Sequence, residues 1–343
     1  MALRDEILEQ QDSITNLLNN QADPIQSIAD SIEKPSGIFI AARGTSDNAA
    51  RYAKYAWGYK NQIPVALAAP SLFSVYQNPP LLGDNLVVGI SQSGESPDIL
   101  AVLTEANHQG CSTLAITNRP NSPLGLEANY VIDIQAGPEL SVAASKTYTA
   151  QLGAIAMLSA AWTGDPKPWK QLAEIPNFIA ELYEQENQIQ TYASRYRYMN
   201  QCVVLGRGFN YATAFEWSLK LKELTYVVAQ PYSSADFLHG PIALVSNGFP
   251  VFAVAPHGDV IEDMAALLQN LKESHRADLF IISDNQNLLQ IADCPLPLPE
   301  GIPEWLSPLA AIIPAQLFSY HLTLIKGIDP DTPRGLTKVT LTK

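Results

Sequence analysis

The chain repeats itself, and the repeat narrows the folds open to it. The apolar run Gly37-Ile38-Phe39-Ile40-Ala41-Ala42 leads into Arg43-Gly44-Thr45-Ser46 and a helical stretch from Asn48 to Tyr59. In the same way Cys202-Val203-Val204-Leu205-Gly206 leads into Arg207-Gly208-Phe209-Asn210 and a helical stretch from Ala212 to Leu224. Setting Gly44 on Gly208 and holding that spacing carries Gly94 to Gly258 and Val88-Gly89-Ile90 onto Phe252-Ala253-Val254. The runs Thr113–Asn118 and Leu279–Asp284 then match with a two-residue drift, and Ala150-Gln151-Leu152 meets Ala315-Gln316-Leu317. Several matches at one spacing argue for duplication. Each copy alternates short apolar strands with helical stretches, which calls for parallel strands, right-handed crossovers and helices on both faces of a sheet. The expected fold class is therefore α/β, with two tandem three-layer αβα domains. Ligands of such sheets bind beyond the carboxyl ends of the strands, where both glycine turns fall.

In the first copy Leu86-Val87-Val88-Gly89-Ile90 runs straight into Ser91-Gln92-Ser93-Gly94-Glu95-Ser96 and then Pro97-Asp98-Ile99-Leu100, a strand, a hydroxyl-rich turn and a helix start. Free backbone N–H groups, the positive end of the helix dipole and three serine hydroxyls make this turn an anion seat, and a phosphate is the natural guest. A serine before a helix can equally serve as no more than an N-cap, so Ser93 and Ser96 have a structural reading too. The second copy separates the two uses: its Ala255-Pro256-His257-Gly258-Asp259-Val260 has no serine, and Pro256 lacks an N–H. One copy keeps a phosphate cradle and the other has lost it.

A length of 343 residues suits two domains with substantial cores. The expected layout is a helical lead-in over 1–23, a first α/β domain over 24–164, a linker and helical bridge over 165–197, a second α/β domain over 198–327 and a tail over 328–343. A formal charge of −13 argues against a nucleic-acid partner, which would need Lys and Arg to meet phosphates. Cys111, Cys202 and Cys294 are few and far apart, suggesting neither a disulfide framework nor a zinc site and making reduced cytoplasm the default compartment. Met1 to Gln10 carries Arg4, Asp5, Glu6 and Glu9 in an amphipathic pattern unlike a signal peptide. Pro308 to Ile325 is interrupted by Pro314, Gln316 and His321, which suits a buried helix better than a membrane span. The tail Asp329 to Lys338 has no apolar periodicity, so it is either disordered or pinned to a site.

Two segments carry residues able to move protons. Lys220-Leu221-Lys222-Glu223 lies in a predicted helix, and Lys220 and Glu223, three apart, share a face. In an isolated helix that spacing describes a surface ion pair contributing a few tenths of a kcal/mol. Here, however, the helix follows the Gly206-Arg207-Gly208 turn on the ligand side of its sheet. In Asp236-Phe237-Leu238-His239-Gly240-Pro241 the histidine stands in a loop, free either to cap a carbonyl or to carry protons near neutral pH. The other histidines show no metal-ligand spacing.

Together with Val142-Ala143-Ala144-Ser145-Lys146 and Pro333-Arg334-Gly335-Leu336-Thr337-Lys338, these segments make the whole chain resemble the tandem sugar isomerase (SIS) domain family, whose domains are flavodoxin-like. It is similar to the isomerase half of glucosamine-6-phosphate synthase and to the SIS-type glucosamine-6-phosphate deaminases. The resemblance implies that Thr45, Ser46, Ser91, Gln92, Ser93 and Ser96 bind a phosphosugar, with backbone contacts from Val142 and Ala143. It implies that Glu223 shuttles a proton between C1 and C2, and that His239 opens the sugar ring from the neighbouring subunit of a homodimer. Lys220 and Lys338 take the places of the active-site lysines, which gives the tail a reason to be ordered. A carboxylate, a ring-opening group and fixed positive charge are what proton transfer between adjacent carbons needs, and no metal or organic cofactor is demanded.

Before Ile38 there is no amino-terminal cysteine and no room for a glutaminase domain, so the expected reaction is conversion of glucosamine 6-phosphate to fructose 6-phosphate and ammonia. Arg43, where the synthase usually has cysteine, favours the deaminase branch. Ala144 replaces a serine of the synthase loop and removes one hydroxyl contact. A fructosamine-6-phosphate deglycase and a phosphosugar sensor without turnover are the alternatives.

Overall fold

The computed structural model describes residues 2–32 and 34–338. The chain divides into two compact units that do not follow chain order. Among the described residues, the N-terminal unit comprises Glu9–Leu140, Ala144–Glu174 and 337–338; the C-terminal unit comprises Ala2–Leu8, Ser141–Ala143 and Ile175–Leu336.

The lead-in forms two helices, α1 (Ala2–Leu8) and α2 (Gln10–Ser31). Pro24 lies inside α2 without ending it, because the buried stripe Ile14, Leu17, Gln21, Ile25 and Ala29 continues past it at helical spacing. The helical lead-in thus runs beyond Asp23, the end expected from the sequence.

In the N-terminal unit β1 (Ile38–Ala42), β2 (Val65–Leu67), β3 (Leu86–Ile90), β4 (Thr113–Thr117) and β5 (Tyr130–Asp133) form one parallel sheet in the order β2-β1-β3-β4-β5. Its helices include α3 (Gly44–Tyr55), α4 (Pro97–His108) and α5 (Lys146–Thr163). Every residue of β3 and β4 is buried, as an apolar strand covered on both faces must be. Nearly all of α5 is buried too, and α2 and α3 pack against it.

The C-terminal unit repeats this plan. Its strands β6 (Gln201–Gly206), β7 (Val228–Ser233), β8 (Pro250–Val254), β9 (Asp278–Ser283) and β10 (Cys294–Pro297) are all parallel, in the order β10-β9-β8-β6-β7, which is the winding of the first sheet. Helices α6 (Tyr211–Lys220), α7 (Ile261–Glu273) and α8 (Ser307–Ile325) belong to it. Only α8, with the turn before it, is long and apolar enough to cross a membrane among the described residues, and 89% of its apolar window is buried as core. Trp217 of α6 stacks on Phe252 at 5.0 Å, and Phe318 of α8 meets both rings edge-on.

The duplication extends to an irregularity. Both helices that follow the first strand of a sheet loosen into one π-helical turn, Ala56–Lys60 after α3 and Leu221–Thr225 after α6, inside stretches whose sequence predicts a continuous helix. Such turns shift the side-chain register by one residue and recur at functional sites. The second of them carries Glu223.

Candidate active site

In the N-terminal unit the turns after β1 and β3 emerge side by side, because Ala42 and Ile90 are register partners at the carboxyl ends of adjacent strands. Thr45 and Ser46 open α3, and Ser46 Oγ accepts a hydrogen bond of 3.0 Å from Gln151 Nε2 of α5. In the second turn the buried hydroxyls of Ser91 and Ser93 accept the N–H groups of Gly94 (3.1 Å) and Glu95 (3.3 Å). Each is thereby oriented with its own proton left to donate. Ser96 occupies the N-cap of α4 but makes no capping bond with its side chain, so its hydroxyl is not spent on the helix. Gly94 adopts φ +65° where a Cβ would lie 1.9 Å from Ser122 Oγ, so only glycine lets the turn close this tightly. Asn118 N–H binds the Gln92 carbonyl at 3.2 Å, and an open cleft of about 460 Å³ extends from Gln92 past Asn118 and Arg119 to Glu139.

Arg43, at the end of β1, directs Nε to Asp98 Oδ2 at 2.6 Å, and the Asp98 side chain is fully buried at the start of α4. This pair ties the two turns together.

The matching turn of the C-terminal unit is filled from within. Glu304 accepts the Asp259 N–H at 2.9 Å, and its carboxyl carbon lies 2.0 Å from where a Cβ on Gly258 would stand. Burial pushes the Glu304 carboxyl above the usual carboxylate range. Loss of the serines is thus matched by an internal carboxylate on the turn.

The proton-transfer candidates lie at the end of α6. Lys220 Nζ is 2.5 Å from Glu223 Oε2 and 3.4 Å from Glu216 Oε1. Lys220 and Glu216 are closed off from solvent, whereas Glu223 is partly exposed. The surface ion pair that the spacing suggests is therefore corrected to a buried lysine shared by two carboxylates. Sequence reasoning passes over Glu216; its place one turn before Lys220 is the available signal. His239 caps the short helix Ser234–Leu238 through its backbone, 3.1 Å from the Asp236 carbonyl, and it is exposed, as are Leu238 and Leu244.

Val142 and Ala143 cluster with the C-terminal unit. Glu6 of α1, itself buried, accepts hydrogen bonds from Ser141 N and Oγ, and Ser141 Oγ is also 3.0 Å from the Ala143 carbonyl. The described part of the tail, 328–338, is pinned by contacts at three residues. Asp331 accepts the N–H groups of Ala2 and Leu3 at 3.1 Å, capping α1. The Arg334 N–H donates to Tyr226 Oη at 2.7 Å, and its guanidinium lies 4.4 Å above that ring. Lys338 Nζ, in the N-terminal unit, reaches Glu139 Oε2 at 2.6 Å. Glu139 is the second residue that sequence reasoning passes over.

The sequence matches the SIS domain family over residues 31–161 and again over 183–326. It is 36% identical over 337 residues to the isomerizing glutamine–fructose-6-phosphate aminotransferase of Methanothermobacter thermautotrophicus, covering 97% of this chain and 56% of that protein. It is 38% identical over 315 residues to the same-named protein of Gloeobacter violaceus, covering 88% of this chain and 51% of that protein. The chain spans about half the length of these curated relatives. Its fold matches the C-terminal domain of glucosamine-fructose-6-phosphate aminotransferase from Francisella tularensis with a TM-score of 0.88 at 29% identity, over 97% of this chain and 98% of that one. Glucosamine-6-phosphate deaminase from Thermotoga maritima shares the fold at a TM-score of 0.79 over all of both chains, with 21% identity.

Proposed function

The chain belongs to the SIS domain family, and we propose that it is an aminosugar-phosphate isomerase and deaminase acting on glucosamine 6-phosphate. The observation that carries the isomerase reading is the buried Lys220 held between Glu216 and Glu223, with Glu223 left open to a ligand. The turns around Thr45, Ser46 and Ser91–Ser96 are the phosphate handle. His239 opens the pyranose to the C1 aldehyde. Glu223 takes the proton from C2 and returns it to C1, giving the C2 imine of fructose 6-phosphate, while Lys220 and Lys338 offset the negative charge that develops on oxygen. Water then adds at C2, and ammonia leaves to give fructose 6-phosphate.

The deaminase direction is supported by Arg43, which stands where the synthase usually has cysteine and is locked to buried Asp98. The names of the curated relatives favour a second reading, in which the same proton transfer serves amination of fructose 6-phosphate. The decisive experiment incubates the purified chain with glucosamine 6-phosphate and follows fructose 6-phosphate and ammonia together. Stoichiometric release supports deamination, whereas no release at saturating substrate sinks it. Formation of glucosamine 6-phosphate from fructose 6-phosphate and ammonium, without the forward release, supports the second reading.

We further propose that the chain acts as a homodimer in which His239 serves the neighbouring site. The exposure of His239, and of the apolar Leu238 and Leu244 in the same stretch of chain, supports that arrangement.

A further inference from the structure

Glu139 is a fully buried carboxylate with an unusual set of donors. Its Oε1 accepts the N–H groups of Ser145 at 2.9 Å and Thr147 at 3.1 Å, at the amino end of α5. Its Oε2 accepts the Thr147 hydroxyl at 2.9 Å and the Lys338 ammonium at 2.6 Å. The three local donors come from within eight residues of Glu139 and satisfy it as a helix cap would. All three are neutral, so they satisfy the lone pairs of the carboxylate without pairing its charge. The fourth position is filled by an ammonium that lies 199 residues away in sequence. Lys146, the nearer cation, is turned to Glu9, the residue before α2.

We infer that Glu139 is the positioning residue of the tail lysine: its buried charge docks Lys338 against the amino end of α5. The importance of this docking for turnover rests on the proposed role of Lys338, but the docking itself does not. Glu139→Gln separates the two uses of the side chain. The amide carbonyl still accepts Ser145 N–H and Thr147 N–H, and the amide nitrogen can donate to the Thr147 hydroxyl. That same nitrogen, now facing the ammonium of Lys338, cannot accept from it.

The test is amide hydrogen exchange across the full chain, read by mass spectrometry, for the wild type, Glu139→Gln, Glu139→Asp and Lys338→Met. Glu139→Gln is expected to raise exchange at residues 336–338 by about tenfold or more while leaving residues 145–149 protected. Lys338→Met is expected to release the same tail residues, and combining it with Glu139→Gln to add nothing. Glu139→Asp, which keeps the charge, is expected to restore part of the protection. If Glu139→Gln loosens residues 145–149 and leaves the tail unchanged, Glu139 is a helix cap alone and the inference is overturned. Should that variant fail to fold, unchanged tail exchange in Lys338→Met overturns it equally. Where the wild type turns over an aminosugar phosphate, Glu139→Gln is expected to lower kcat with KM little changed, in step with Lys338→Met. A wild type without turnover defeats the proposed function while the exchange data still decide the docking.

Discussion

Lys220 holds its ammonium 2.5 Å from Glu223 and 3.4 Å from Glu216, and the Glu216 side chain has no exposure to solvent at all. Replacing Lys220 with Met takes the ammonium away from a carboxylate in the core. Breaking a buried pair from one side costs about 3–5 kcal/mol, whereas neutralising both partners costs much less. Lys220→Met is therefore expected to destabilise the chain strongly, and Lys220→Met/Glu216→Gln to recover a substantial part of the loss. Urea unfolding of the two single variants and the double closes the cycle. Simple additivity would mean that the charges do not depend on each other.

Glu223 is partly exposed while its lysine is not, and Glu216 still faces that lysine when Glu223 is neutralised. Glu223→Gln is expected to lower turnover by about 10²–10⁴, the range for loss of a positioned acid or base, while phosphosugar binding persists. Nuclear magnetic resonance in deuterated water reads the step directly, through exchange of the C2 proton of glucosamine 6-phosphate. Wild-type exchange rates in the variant remove Glu223 from the proton-transfer role.

The two glycine turns of the N-terminal unit predict unequal costs for the same substitution. Gly44 adopts φ +54° with open space where an added methyl would stand, so Gly44→Ala is expected to cost roughly the 1–2 kcal/mol of a left-handed alanine. Gly94 adopts φ +65° and would also drive its Cβ into Ser122, the N-cap of the helix Pro123–Glu127. Gly94→Ala is expected to lose more stability than Gly44→Ala and to weaken phosphosugar binding. Thermal unfolding and calorimetric titration check both parts, and equal effects at the two glycines would contradict the close approach.

Much of this is legible because the duplication appears in local sequence: the apolar strands, their glycine turns and the loss of serines at Ala255 to Val260 can be read without tertiary contacts. Glu139 and Glu216 stay hidden for the opposite reason. A lone carboxylate in a loop or helix looks solvated until the fold shows what closes over it, and Lys338 lies 199 residues from its partner. The π-helical turns at Ala56–Lys60 and Leu221–Thr225 are also invisible, since hydrophobic periodicity does not register one inserted residue at a helix end. Glu304 cannot be matched to the turn it fills, because no motif links a residue before α8 to a loop after β8.

Mixing two inactive variants tests the shared site. If His239 serves the partner's substrate, a heterodimer of His239→Asn and Glu223→Gln chains contains one site with both residues intact. Random exchange of equal amounts is then expected to restore about a quarter of wild-type activity, since half the dimers are mixed and each carries one working site of two. Restoration is read after subunit exchange in mild denaturant. A mixture as inactive as its components, with mixed dimers shown to form, places His239 and Glu223 in sites of the same chain.

A pH prediction follows from α1. Arg4 meets both oxygens of Glu186, at 2.8 and 2.6 Å, and His321 Nε2 lies 2.9 Å from the first of them. The Arg4 hydrogen bonds hold the Glu186 carboxyl below its ordinary value, with His321 adding to the effect. Burial holds His321 below its ordinary value, against the pull of Glu186. A depressed carboxylate contributes stability that is present above its unfolded value, near 4.5, and lost as pH falls through the folded one. Arg4→Met removes that contribution and leaves Glu186 to His321, whose protonation then becomes easier as pH falls. Both changes act in one direction: the deficit of the variant is expected to be largest near pH 7 and to shrink steadily toward pH 3. Urea midpoints across that range measure it, and a deficit that does not vary with pH would mean that Arg4 stabilises α1 through packing of its stem alone.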